Sequence, residues 1–197
     1  MDAIYPFGPH AQQAQLDIIY AYYKNGDIGS AIVAADRYIR LYPRGYHVDY
    51  AYYMRGIIGF DLRLSWIQKL AGVNPASRDI STLQESYRAF ATLVDMFPQS
   101  PYVPDALIRM KYIHNLMAQR EIMIAQFYLK RHAYVAAANR ATYVVQHFQD
   151  SPEAIKGLVI IVQAYRALDL PKMADSPSYR LLKINYLNSP KLRKLPG

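Results

Sequence analysis

Apolar residues recur three and four positions apart along most of the chain, and Gly, Pro and Asn cut these runs into a succession of amphipathic helices. From Gln12 to Asn25 the stripe is Leu16, Ile19 and Tyr23; Asn25-Gly26 ends it, and Asp27 stands where an N-cap belongs. Ile28, Ala31, Ile32, Ala35 and Ile39 carry the next helix, which stops at Tyr42-Pro43 because Pro disfavours helical geometry in the residue before it. So short a turn sets the two helices antiparallel and in contact.

The pattern continues in pairs. A helix from about His47 to Phe60 is followed by a segment, Asp61 to Arg78, that a simple repeat does not need; it carries Trp66, Ile67 and Leu70 and ends in Gly72-Val73-Asn74-Pro75. Its partner spans Ile80 to Phe97 through Leu83, Tyr87, Phe90 and Val94, and Phe97-Pro98 repeats the exit at Tyr42-Pro43. A long helix without Gly or Pro is expected from Ala106 to Lys130, then one from Tyr134 to Phe148. Ser151-Pro152-Glu153 reads as N-cap, Pro at the first helical position and acidic first turn of a helix to Leu168, and a last helix is expected from Ala174 to Tyr186.

Three of these pairs share a register. Tyr22 and Ala31, Tyr128 and Ala137, and Tyr165 and Ala174 are each nine residues apart. A small residue on the second helix would let the aromatic of the first approach its backbone, so these tyrosines, with Tyr87, are expected in the core. Tyr20, Tyr52 and Tyr53 could instead line a groove. The expected fold is therefore all-α, an α-solenoid of about four tetratricopeptide-like helix pairs with an insertion in the second, over one domain of residues 1–197. Tyr5-Pro6 stands where Tyr42-Pro43 stands one repeat later, as if closing a pair not otherwise present. The helix after it should thus expose apolar surface.

Composition narrows the function. Across 197 residues, 52% are hydrophobic and 19% charged, as in an ordered globular chain. The formal charge of +8 is spread out apart from Lys191, Arg193 and Lys194, unlike a dedicated nucleic-acid arm. A basic repeat protein that binds RNA stays an alternative, but its base-reading positions would be polar, and here the repeated ones are apolar or small. The tail from Lys183 to Lys194 is broken at Pro190 and lacks the sustained amphipathic pattern of a membrane-surface helix. Cysteine is absent, the five histidines are scattered, and neither phosphate loops nor GxSxG elbows occur, so no metal, no cofactor and no catalytic site is expected. No apolar run reaches membrane-spanning length, and Met1 to Pro6 has neither the charged nor the apolar region of a signal peptide.

Tyr5-Pro6-Phe7-Gly8-Pro9, Gln12-Gln13, Gln15-Leu16-Asp17 and Tyr20-Ala21-Tyr22-Tyr23-Lys24, with Asp49-Tyr50, Tyr53-Met54-Arg55-Gly56, Ser77-Arg78-Asp79 and Ala138-Asn139-Arg140 downstream, resemble the BamD family, lipoproteins of the outer-membrane β-barrel assembly machinery. The resemblance covers nearly the whole chain. It implies five tetratricopeptide-like repeats, the first mostly outside this stretch, and a lipid-anchoring cysteine that the chain does not contain. It implies a non-enzymatic scaffold at the periplasmic face of the outer membrane, attached to the membrane only through that anchor.

By the same resemblance, residues 99–197 would hold the POTRA region of the barrel-inserting subunit through Arg131 and Arg140. Residues 1–98 would receive unfolded outer-membrane proteins, with Tyr5, Phe7 and Gly8 implicated in substrate handling. Accessory lipoproteins of the complex are further implied partners, and nucleic acid is not. The chain departs from the family at His132, where Gly is frequent, and in its Pro-containing basic tail. Read from spacing alone, Arg140 serves equally as a solvated helix-face residue, and Phe7 as a staple for the helix that follows.

Overall fold

The computed structural model describes residues 9–69 and 80–169, and among them the chain is all helical. The helices are α1 (Pro9–Lys24), α2 (Ile28–Leu41), α3 (Val48–Lys69), α4 (Ser81–Met96), α5 (Val103–Lys130), α6 (Tyr134–His147) and α7 (Glu153–Ala167). The expected helix from Ala174 to Tyr186 and the second half of the expected insertion, residues 70–78, lie outside the described residues, as do the side chains of Trp66 and Ile67.

Three boundaries differ from expectation. α3 runs on through Asp61 to Lys69, because nothing in that stretch breaks a helix; the length of a simple repeat is a poor guide to where the helix ends. α5 starts at Val103, and Pro104 is accommodated since the first turn needs no N–H from it. In α7 it is Pro152 that occupies the N-cap position, while Ser151 Oγ accepts the Glu153 N–H at 3.3 Å and still satisfies an orphan donor of the first turn.

The repeat is written most plainly in its turns. Within a pair, Gly26 and His132 take left-handed φ of 76° and 61°, each four residues after the register tyrosine. Asp169 takes 54° four residues after Tyr165. The carbonyls of Tyr22 and Tyr128 each accept the N–H five residues on, from Asp27 and Ala133, at 3.0 Å. Asp27 then caps α2 by accepting the Ser30 N–H at 3.1 Å.

Between pairs, Tyr42, Phe97 and Phe148 end α2, α4 and α6 with φ between −130° and −133°, their N–H groups bonded to Tyr38, Leu93 and Val144. Each carbonyl accepts from the residue three further on, Gly45, Ser100 and Ser151. Those residues in turn accept from Val48, Val103 and Ala154. Phe148 does this without a following Pro, so an aromatic seated in the core, as all three are or nearly are, is the common cause.

The chain divides into two compact units, Met1–Ile113 and His114–Gly197. In the first, Leu16 and Ile19 of α1, Ala31, Ala35 and Tyr38 of α2, and Ala51, Met54 and Ile58 of α3 form one buried cluster. Tyr38 also donates its hydroxyl to the Tyr46 carbonyl. α3 meets α4 closely: a Cβ on Gly56 would lie 2.4 Å from the Phe90 ring, and one on Gly59 2.4 Å from Ser86 Oγ. Arg55 ties three helices, with Nε 2.9 Å from Asp36 on α2 and Nη2 3.0 Å from Glu85 on α4. In the second unit Ile122 and Ala125 of α5, Ala137, Ala141 and Val144 of α6, and Ile160 and Ile161 of α7 make the core, with Tyr128 and Tyr165 packed against it.

Tyr22 departs from its expected place. It is exposed, beside Ile18 and Val33, along a groove of about 580 Å³ that also involves Asp27 and Arg37. Apolar surface is thus open on α1, as the sequence led one to expect, and on α2, while the buried tyrosines of this pair are Tyr38 and Tyr42. What the nine-residue register preserves is the turn.

Candidate functional site

The second unit carries both arginines singled out by sequence. Arg131 directly follows α5, its N–H shared between the Phe127 and Tyr128 carbonyls at 3.3 and 3.1 Å. Its guanidinium lies 4.5 Å from the centre of the Phe127 ring, one helical turn back, and that ring is 51% exposed. At that distance the ring face attracts the guanidinium, whose N–H donors suit a carboxylate. His132 follows in left-handed conformation, its Nδ1 2.7 Å from the Tyr134 hydroxyl. Non-glycine residues adopt this conformation at a cost of about 1–2 kcal/mol, which accounts for a position where Gly would be at ease.

Arg140 projects from α6. Its Nη1 is 3.1 Å from Glu121 Oε2 on α5, the arginine half exposed and the glutamate largely covered. One guanidinium nitrogen is used there, and a guanidinium has five N–H donors. Both arginines are therefore fastened to α5, Arg131 through Phe127 and Arg140 through Glu121. The sequence reading missed Phe127; its signal was an aromatic four residues before Arg131 on a helix, at a position off the buried stripe.

In the first unit α1, α3 and the start of α5 share a polar and aromatic seam. Tyr23 donates to Asp61 at 2.5 Å, and Arg109 reaches Asp61 at 3.4 Å and Asp105 at 2.6 Å, its guanidinium 4.8 Å from the Phe60 ring centre. Tyr53 donates to the same Asp105 at 2.9 Å and stacks on Tyr102 at 4.7 Å. Burial, then the neighbouring carboxylates Asp61 and Asp105, push the Tyr23 and Tyr53 hydroxyls up to about 12. Burial alone would raise the Asp105 carboxyl, but the hydrogen bonds from Arg109 and Tyr53 outweigh it and hold the group below the usual carboxylate range. Of the aromatics expected in a groove, Tyr20 is exposed beside Tyr50 and Tyr102, Tyr52 lies in a cleft with Arg55 and Arg88, and Tyr53 belongs to this seam.

Tyr5, Phe7 and Gly8 lie outside the described residues. Among the described residues no group of three or more His, Cys, Asp or Glu is placed to hold a metal ion, and no helix is long and apolar enough to cross a membrane. The surfaces described above are built from aromatic rings, guanidinium groups and carboxylates.

Comparison with known proteins places these surfaces in a family. Residues 1–181 match the family model described as YfiO, outer membrane lipoprotein. The chain is 39% identical over 194 residues to the outer membrane protein assembly factor BamD of Neisseria meningitidis serogroup B, across 98% of this chain and 72% of that protein. It is 37% identical over 177 residues to the factor of the same name from Pasteurella multocida, across 88% and 68%, and 34% identical over 187 residues to that of Vibrio cholerae, across 95% and 77%. Motifs, helix pairs and these likenesses over nearly the whole length agree, and the chain belongs to the YfiO/BamD family of outer membrane lipoproteins.

Proposed function

We propose that this protein is a non-catalytic assembly factor for outer-membrane β-barrel proteins, acting at the periplasmic face of the outer membrane as a bridge between two partners. The second unit holds a POTRA domain of the barrel-inserting subunit through Arg131 and Arg140. The first unit receives the unfolded outer-membrane protein as an extended chain, with Tyr5, Phe7 and Gly8 taking part. Accessory lipoproteins of the complex bind elsewhere on the same scaffold, and a lipid anchor outside this stretch keeps it at the membrane.

The observation that carries this reading is the placement of the two arginines, Arg131 over the exposed Phe127 ring and Arg140 beside Glu121. A guanidinium already held over an exposed phenylalanine ring loses less freedom when a carboxylate arrives, and an Arg with an aromatic beside it has the composition of an interface hot spot. Arg140, half exposed and held by Glu121, can pair with a second acid on an incoming surface.

Titration calorimetry of this chain against the isolated last POTRA domain tests the reading, run beside Arg140→Glu with circular dichroism as folding control. Binding that weakens by about 2 kcal/mol or more in the folded variant is expected, since a charge-assisted pair becomes a repulsive one. Unchanged affinity would remove Arg140 from the interface, and no binding by the parent chain would remove the POTRA partner.

A further inference from the structure

A cleft of about 350 Å³ opens in the first unit, with Gln13, Asp17 and Tyr20 of α1, His47 in the turn after α2, Tyr50 of α3 and Tyr102 before α5 along it. Its lining holds one carboxylate, Asp17, and neither Lys nor Arg, on a chain whose formal charge is +8.

The aromatic wall is in place before anything binds. Tyr102 is held against Tyr53 at 4.7 Å and Tyr50 at 5.6 Å. Its N–H donates to Ser100 Oγ at 3.4 Å, and Ser100 donates to Asp49 of α3 at 2.7 Å. The Tyr50 hydroxyl is pushed up to about 12, first by burial and then by Tyr102, Tyr20 and Asp17. The chain's own Lys24 places its ammonium 5.3 Å from the Tyr20 ring centre, a cation on an electron-rich face.

We infer that this cleft takes the cationic side chain, Lys or Arg, of an extended unfolded polypeptide, holding it among the rings of Tyr20, Tyr50 and Tyr102 and pairing it with Asp17. Ring faces and a carboxylate attract a cation, and the more so out of water. An apolar side chain in the same place would cover the Asp17 charge with only the neutral Gln13 amide to offset it. General attraction does not produce the preference, since the protein's positive charge repels a basic peptide at long range. The inference deepens the substrate half of the function proposed above and rests on it, naming the side chain that the first unit selects.

The test uses two fluorescein-labelled ten-residue peptides of alternating Thr and Val, one with a central Lys and its twin with Gln, titrated into the full chain by anisotropy. The Lys peptide is expected to bind on the order of fivefold to tenfold tighter. In Asp17→Asn, an exposed position whose carboxylate accepts only the Gln13 amide among the hydrogen bonds of α1, the preference is expected to fall below twofold. Equal binding of the twins, or an undiminished preference in Asp17→Asn, overturns the cleft's selectivity and leaves the substrate role standing. Failure of both peptides to bind overturns the cleft together with that role.

Discussion

Tyr53 on α3 and Arg109 on α5 donate to the same oxygen of Asp105, at 2.9 and 2.6 Å. One carboxylate thereby fastens two helices of the first unit and fixes the ring on which Tyr102 stacks.

That arrangement sets a pH dependence at both ends. Asp105 titrates below the usual carboxylate value when folded, so the unfolded chain binds more protons in acid; its contribution is present above about pH 4 and is lost as pH falls through the lowered value. Tyr23, Tyr38, Tyr50 and Tyr53 are raised to about 12, so their contribution is present below about pH 10 and is lost as pH rises toward 12. Urea midpoints should be flat from pH 6 to 9 and fall on both sides. In Asp105→Asn the loss at neutral pH is expected to be about 1 kcal/mol, small because the carboxylate is partly exposed, and the acid slope should shrink.

The α3–α4 contact offers a sharper stability test. Gly56→Ala would push a methyl into the Phe90 ring, and the buried ring has little room to yield. Loss of about 1–3 kcal/mol is expected in urea unfolding. Gly29→Ala, inside α2 with no neighbouring atom within 4 Å of the new methyl, should instead gain about 0.5 kcal/mol by restricting the unfolded chain. A stable Gly56→Ala protein would refute the close approach of the two helices.

His132→Gly relieves a left-handed non-glycine residue and gives up the hydrogen bond to Tyr134. The first is worth about 1–2 kcal/mol and the second, at an exposed site, about 0.5–1 kcal/mol, so the variant should be slightly more stable. A rise in thermal midpoint of a few degrees is the expected reading, and a fall would show that the ring contact at 5.7 Å between His132 and Tyr134 dominates the turn.

Phe127→Ala separates interface from fold. Its ring is half exposed and supports the Arg131 guanidinium, so the variant should keep its helical circular dichroism. If Arg131 meets an acidic partner as proposed, the dissociation constant for the last POTRA domain should rise about tenfold, as for loss of an anchor worth about 1–2 kcal/mol. An unchanged constant would place that interface away from the end of α5.

Much of this was readable in consecutive residues. The stripe of Ile28, Ala31, Ile32 and Ala35 foretold α2 with its cap at Asp27, and the breaks at Gly26 and Pro43 foretold its limits, because capping and turn chemistry act over a few neighbouring positions. The seam of Tyr53, Asp61, Asp105 and Arg109 was not readable. Its hydrogen-bonded partners stand up to 52 positions apart, and each alone is an ordinary polar residue of an amphipathic helix. Arg131 and Arg140 were found by motif, whereas Phe127 became visible only once its ring lay under a guanidinium.

Local period, turns and family motifs thus specify the helices, their pairing and the kinship of the chain, since each is carried by residues a few positions apart. Which tyrosine is buried and which left open could not be settled in that way: Tyr22 and Tyr38 both sit on helices with apolar stripes, yet only Tyr38 falls where α2 meets α3. Burial is a property of the space between helices, and that space exists only after they pack.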